Sequence, residues 1–473
     1  MKESIAKLKN SSFIKTLKEI LSSKYFPFLN AVMTLLCYYL GWDIVLIYYI
    51  VIAGSAIFIL CDDLTPVISV FLFISIIVSA KNSPSIFNAG HDESAVSDYY
   101  FKPVIYIQII ILVALFICAG VYRLGLTIAK KKFTLNPNFF GFCAFCVTLL
   151  LNGIFSKNYD TKNIVFGLML VFFFLGIYSL LKDNLTINKA FYEKLALAFF
   201  ALSLVLILEL FIAYITIDNL IVDGHINRDK LTFGWGIWNT MGMMLVLCIP
   251  AVTYLAIIKK YGFIYTLYSA LLFVSVILSC SRQSIVGAFL IYPLCLIILL
   301  VKGKDRIANL SIIGCALVAG IILLIVFKDT VLQYFILLFK QIVVNGELDG
   351  SGRTQLWREA ARYFKNNPFF GSGFFVHFSY QGDSGLGFIP LMCHNTFLQI
   401  LSSCGLIGLA AYTLHRAQSV VSFCKNMTVD RAFIAITILT ILVLSLFDNH
   451  LFNIFPTIIY SSLIAVLYSS EKI

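Results

Sequence analysis

The sequence predicts an all-α polytopic integral membrane protein, with about 12–14 transmembrane helices and one long, partly helical extracytoplasmic loop. Three observations predict it. Of 473 residues, 60% are hydrophobic and 12% charged, and mean hydropathy is +0.93. Soluble chains are about 45–50% apolar and about 25% charged, so a soluble enzyme and a disordered chain are excluded. The apolar residues form continuous runs near the ~20 residues a transmembrane helix needs, where a membrane barrel would alternate. Basic residues crowd alternate connections between these runs.

Residues 1–24 come first. Ile5, Leu8, Ile14, Leu17 and Leu21 recur at roughly helical spacing with lysines between them. This predicts a cytoplasmic amphipathic helix on the inner leaflet; a flexible basic tail is the alternative. No cleavable signal sequence is expected. The transmembrane region 25–327 holds runs at 25–41, 44–61, 64–80, 103–123, 138–155, 163–181, 195–216, 237–258, 262–280, 284–301 and 307–327. The loop 328–392 follows, and 393–473 adds runs at 393–414, 432–447 and 454–470.

The net charge of +11 then finds its place. With fourteen spans and a cytoplasmic N-terminus, 22 of the 35 Lys and Arg fall on the inner side. The short outer loops carry seven. The positive-inside rule counts short loops, so both termini are expected in the cytoplasm. The basic excess therefore sets orientation and does not indicate nucleic acid. The twelve cysteines sit singly in or beside apolar runs, as small hydrophobes. Cys143 and Cys146 lack the second pair a zinc site would need.

The loop is too long for a plain connector. Val331–Val343 is apolar and aromatic, suited to the membrane surface. Thr354–Asn366 has helical spacing, ended by Pro368, and Gly371 and Gly373 make a turn.

Polar groups with chemical potential gather at the predicted outer face. Arg282, in Ser281-Arg282-Gln283-Ser284, interrupts two apolar runs. It must face water or an anion, unless it only snorkels from a tight turn. Arg353, in Ser351-Gly352-Arg353-Thr354, opens the predicted loop helix, where a helix N-terminus and a guanidinium together suit phosphate. Arg358 and Arg362 fit a solvated helix face. His394-Asn395 begins the next span. Partial positive charge there disfavours imidazolium, so His394 fits a neutral general base; an interfacial helix cap is the alternative. Glu209 lies inside an apolar run, either as a substrate contact or in a structural ion pair. Asp448 and His450 sit in a predicted outer turn, and His377 and Tyr380 in the loop near Gly373, each a candidate substrate contact. His415 lies at the inner face, away from that chemistry.

The order of these motifs resembles the O-antigen ligase and polymerase superfamily. Its pattern is an S-R pair, then S-G-R, W, P and G-x-G in a long loop, then H-N, nine residues and G-x-x-G. Here these are Ser281-Arg282, Ser351-Gly352-Arg353, Trp357, Pro368, Gly371-Ser372-Gly373, His394-Asn395 and Gly405 to Gly408. The resemblance covers roughly 262–414. It implies a glycosyltransferase of the bacterial inner membrane, polymerising or ligating a surface polysaccharide such as O-antigen or capsule. The implied donor is an undecaprenyl diphosphate-linked glycan, and the acceptor a second glycan or a lipid core. Arg282 and Arg353 would bind the diphosphate, His394 would activate the acceptor hydroxyl, and Asn395 would support it. Neighbouring polysaccharide-assembly membrane proteins are implied partners.

Independently of the resemblance, a glycosyl diphosphate has a good leaving group and needs mainly charge stabilisation, which two arginines supply. With no D-x-D cluster or His/Cys ligand spacing evident, inverting transfer without metal or other cofactor is expected. A lipid-linked oligosaccharide flippase or transporter is the alternative. It should hold its charges near the midplane, whereas here they gather at one face.

Overall fold

The computed structural model describes residues 11–40, 42–78, 103–129, 139–157, 159–222, 225–227, 230–233, 236–340, 343–344, 347–348, 353–375 and 392–472. Each of the fourteen predicted spans contains a helix. α1 (Ser12–Ser22) precedes them. Then follow α2 (Phe26–Tyr39), α3 (Asp43–Leu60), α4 (Thr65–Val78), α5 (Pro103–Ala129) and α6 (Phe140–Leu150). α7 (Lys162–Lys182) carries a π-helical turn at Phe172–Gly176. Next come α8 (Lys189–Thr216), α9 (Trp238–Ile258), α10 (Gly262–Leu278), α11 (Arg282–Lys302) and α12 (Arg306–Val326). The long loop contributes α13 (Lys328–Lys340) and α14 (Arg353–Asn366). α15 (Thr396–Lys425), α16 (Val429–Leu444) and α17 (Ile454–Ser469) complete the chain. The strands are three two-residue hairpins among the described residues.

Seven of these helices are long and apolar enough to cross a membrane among the described residues, or eight if α1 and α2, bent by 88°, count as one. Five shorter apolar helices accompany them. The molecule is a polytopic helical membrane protein. A helix apolar all round is buried or faces lipid, and both cases occur. α9 is the centre of the bundle, with every residue from Met241 to Ile257 buried. It packs on α8, α10, α11 and α16. α12 lies at the edge and buries only Asn309, whose Oδ1 accepts from Thr266 Oγ1 at 2.7 Å.

The ends of the bundle differ. At one end basic side chains tie neighbouring connections together. Lys194 Nζ donates to the Ser22 carbonyl at 2.8 Å. Arg123 donates to the carbonyls of Cys61 and Asp62 and to Asn184 Oδ1, and Lys259 pairs with Glu193. At the other end lie the turn before α11, the starts of α14 and α15, and the turn joining α16 to α17.

Two helices depart from simple spans. The run predicted at 138–155 is helical only through Leu150, because the chain reverses at Gly153, with φ +67°. α15 breaks at Gly405, where φ is 68° and ψ −162°. The segment after α14 fills the break. Leu406 N donates to the Pro368 carbonyl at 2.8 Å and Ile407 N to that of Phe369 at 3.2 Å. Ser372 N and Gly373 N donate to the carbonyls of Ser402 and Ser403. On the far side, Asn152 and Asn163 accept from Phe374 N and Phe375 N. The backbone groups freed by the break are thus satisfied deep in the protein, as the low-dielectric setting demands.

Candidate functional site

Four chain segments meet at the site end. The first is the turn entering α11. Cys280 takes a left-handed φ of 57°, and Ser281 is extended. Ser281 Oγ donates to Asn239 Oδ1 at 3.1 Å and lies 2.8 Å from Ser284 Oγ. Gly242 of α9 sits against this turn, where an added Cβ would lie 2.6 Å from Ser284 Oγ. The close approach fixes Arg282 half-buried at the first position of α11. The next residue, Gln283, is buried, with Nε2 3.4 Å from His450 Nε2.

The second segment is the start of α14. Arg353 Nη1 donates to the Phe447 carbonyl at 2.7 Å. Burial pulls the pKa of this guanidinium down, against the charge of Asp448, which raises it; an arginine remains a cation throughout. One turn on, Trp357 Nε1 donates to the Cys393 carbonyl at 2.9 Å. The loop helix therefore holds the residue next to the histidine.

The third is the start of α15. His394 has a left-handed φ of 54°, costly for a non-glycine residue and common at functional positions. The helix cap belongs to Asn395: its Oδ1 accepts from Leu398 N at 3.0 Å, and its Nδ2 donates to the Leu446 carbonyl at 2.9 Å. Asn395 thus ties α15 to the fourth segment, the turn 445–453. From that turn, Asp448 Oδ1 lies 3.0 Å from His394 Nδ1. Side-chain exposure is 42% for His394 and 17% for Asp448. The ring is reachable while its partner is shielded.

Electrostatics bind the group together. Burial pushes the Asp448 carboxyl up, but several opposing effects outweigh it. These are the His394 hydrogen bond, the fields of His450 and His394, and the Asn449 N–H, and they hold Asp448 below the usual carboxylate range. The ionised carboxylate accepts, so the proton of this contact sits on His394 Nδ1. Burial lowers the pKa of His450, which also feels Asp448, Arg353 and His394. Through His450 and its contact with Gln283, the α11 turn joins the same cluster.

Arg353, His394 and Asn395 therefore share one cluster, and Arg282 is the residue before Gln283, which reaches the cluster at His450. Glu209 is apart from them. It is buried in α8, with its carboxyl beside the Tyr39 hydroxyl of α2. Asp448 is the residue that sequence reasoning underweighted. Its signal was an acid in a short polar turn between two apolar runs. Ser351, Gly352, His377 and Tyr380 lie outside the described residues.

Fold and site define a polytopic membrane protein with a basic and histidine-bearing polar centre at one end of its helices. Residues 267–413 match the family model described as O-antigen ligase. Over that stretch, from α10 into α15, the chain is similar to the O-antigen ligase family. The match takes in Arg282, Arg353, His394 and the break at Gly405. It supports a membrane function of ligase or polymerase type. No curated protein matches the chain.

Proposed function

We propose that the chain is a glycosyltransferase that moves a glycan from a polyprenyl diphosphate carrier to an acceptor hydroxyl on the extracytoplasmic side of a bacterial membrane. The observation that carries the reading is the His394–Asp448 pair beside Arg353. His394 Nε2 takes the proton of the acceptor hydroxyl as its oxygen forms a bond to the anomeric carbon. The bond from that carbon to the diphosphate oxygen breaks, and the electron pair leaves with the carrier diphosphate. Arg353 and Arg282 stabilise the charge that develops there. Fixed cationic donors in a dry site serve this best. Attack opposite the leaving group inverts the anomeric centre. The neutral acceptor hydroxyl and the departing lipid diphosphate need no residue beyond these, so the transfer is proposed to proceed without metal.

Asp448 orients the ring and stabilises the imidazolium that forms, as an acid does behind a histidine base. Asn395 works through the backbone by holding the start of α15 against the turn 445–453. Glu209 is proposed to shape the bundle through Tyr39 and not to contact the donor.

The test is single-turnover transfer by purified protein in lipid vesicles, with a lipid-linked glycan donor. His394→Ala should abolish transfer in protein that still folds. Normal turnover by this variant would sink the base assignment, and loss of turnover on adding EDTA would refute metal independence.

A further inference from the structure

At the end of α15 away from His394, the helix carries a buried polar stripe. His415, Ser419 and Ser422 are 0%, 7% and 0% exposed, and their spacing puts them on one helix face. Two arginines lie along it. Arg416 Nη2 donates to Ser419 Oγ at 2.7 Å, and its guanidinium sits 5.1 Å from the Tyr460 ring centroid. Arg431, from α16, is 3% exposed and donates through Nη2 to the Ser422 carbonyl at 2.6 Å. Ser419 and Ser422 are one turn apart, so the two arginines bond to successive turns of the same helix. Among the described residues, Nε and Nη1 of both arginines, and Nδ1 of His415, have no hydrogen-bond partner. The nearby acids do not supply one. Asp430 accepts from Tyr254 Oη at 2.6 Å. Glu471 acts on Arg431 electrostatically without accepting from either unpartnered nitrogen.

We propose that this stripe binds the phosphate group of an anionic phospholipid in the leaflet opposite the His394 centre. Desolvated guanidinium groups with unused N–H donors are costly inside a membrane protein and call for an anionic partner. Planar guanidinium groups match phosphate oxygens in pairs. Position selects the lipid as the source. Arg416 lies twenty residues beyond the start of α15 at Thr396, about 30 Å at 1.5 Å per residue and so one hydrocarbon thickness from the His394 end. That is the depth at which hydrocarbon gives way to headgroups, and basic pockets between helices at this depth take anionic headgroups. The inference stands apart from the transfer chemistry and does not depend on it.

The experiment uses the full chain in detergent, with lipid retention followed by native mass spectrometry and stability by thermal unfolding. The probes are phosphatidylglycerol, diacylglycerol and inorganic phosphate. Wild-type protein should retain phosphatidylglycerol and unfold at higher temperature with it, and diacylglycerol should do neither. Arg416→Gln, at the half-exposed position, should fold and weaken phosphatidylglycerol binding about five- to tenfold. Arg431→Gln should add to the loss. Unchanged affinity in Arg416→Gln overturns the proposal. An equal shift from inorganic phosphate alone, lost with the same arginines, overturns the lipid assignment in favour of free phosphate.

Discussion

At the scale of single residues, the proposed base is a histidine whose Nδ1 faces the Asp448 carboxylate. Asp448→Asn keeps the shape of that neighbour but removes the charge that fixes Nδ1–H. Turnover should fall on the order of 10²- to 10⁴-fold, with donor KM little changed, as steady-state transfer kinetics would show. Arg353→Ala should cost several kcal/mol of transition-state binding, on the order of an oxyanion-hole donor. Arg353→Lys should recover only part of it, since a point charge does not replace the fork. His450 predicts a pH effect on stability. Burial lowers its pKa from the ordinary 6.5. Below 6.5 the unfolded chain therefore binds a proton that the folded chain resists, so stability falls as pH drops from 6.5 towards the folded value. His450→Gln should flatten thermal unfolding temperature against pH in that window, and an unchanged profile would count against the buried neutral ring. The arginines and His394 were legible because their order along the chain follows a known pattern. The pairing of Asp448 with His394 was not, because the two lie 54 residues apart and only the packing of two turns brings them together.

At the scale of elements, one helix break organises the site. Gly405 has φ +68°, and a Cβ there would stand 2.3 Å from the Phe369 carbonyl oxygen. Gly371, with φ +71°, meets the Ser403 backbone just as closely. These two glycines let the loop segment lie inside the broken helix, which in turn anchors α14 and its arginine. Gly405→Ala should destabilise the fold by at least about 1–3 kcal/mol from backbone strain alone, with the clash in addition. The loss should appear as a lower unfolding temperature together with proteolytic cleavage between 368 and 375. Cleavage at wild-type rates would mean that the segment is held by something other than the break. Helix positions were legible, because apolar runs near spanning length have few alternatives in a bilayer. The break was not. Glycine is frequent in membrane helices, and nothing in the sequence around Gly405 distinguishes a left-handed glycine from a packing glycine. The shortness of α6 escaped for the same reason, since apolar residues continue past Gly153.

At the scale of the whole molecule, charge and geometry make one statement. The connections rich in lysine and arginine meet at the end holding Lys194, Arg123 and Lys259, and the site lies at the other. The helices fix which connections share a side, and by the positive-inside rule we propose that the basic side is cytoplasmic. Under that proposal the site meets a carrier already translocated, with its diphosphate on the outer side. The prediction is made with single cysteines in a background lacking the exposed Cys118, Cys315 and Cys424. Asn453, exposed in the turn between α16 and α17, reports on the site end. Met427, 72% exposed between α15 and α16, reports on the basic end. In intact cells a membrane-impermeant maleimide should label Asn453→Cys and spare Met427→Cys. Permeabilised cells should label both. The reverse pattern would put the His394 centre in the cytoplasm, where a donor awaiting translocation is the only lipid-linked substrate within reach. Extracytoplasmic transfer would then be wrong even if His394→Ala proved inactive. Activity and labelling thus test different parts of the assignment: the first examines the chemistry at His394, the second the side of the membrane on which it acts.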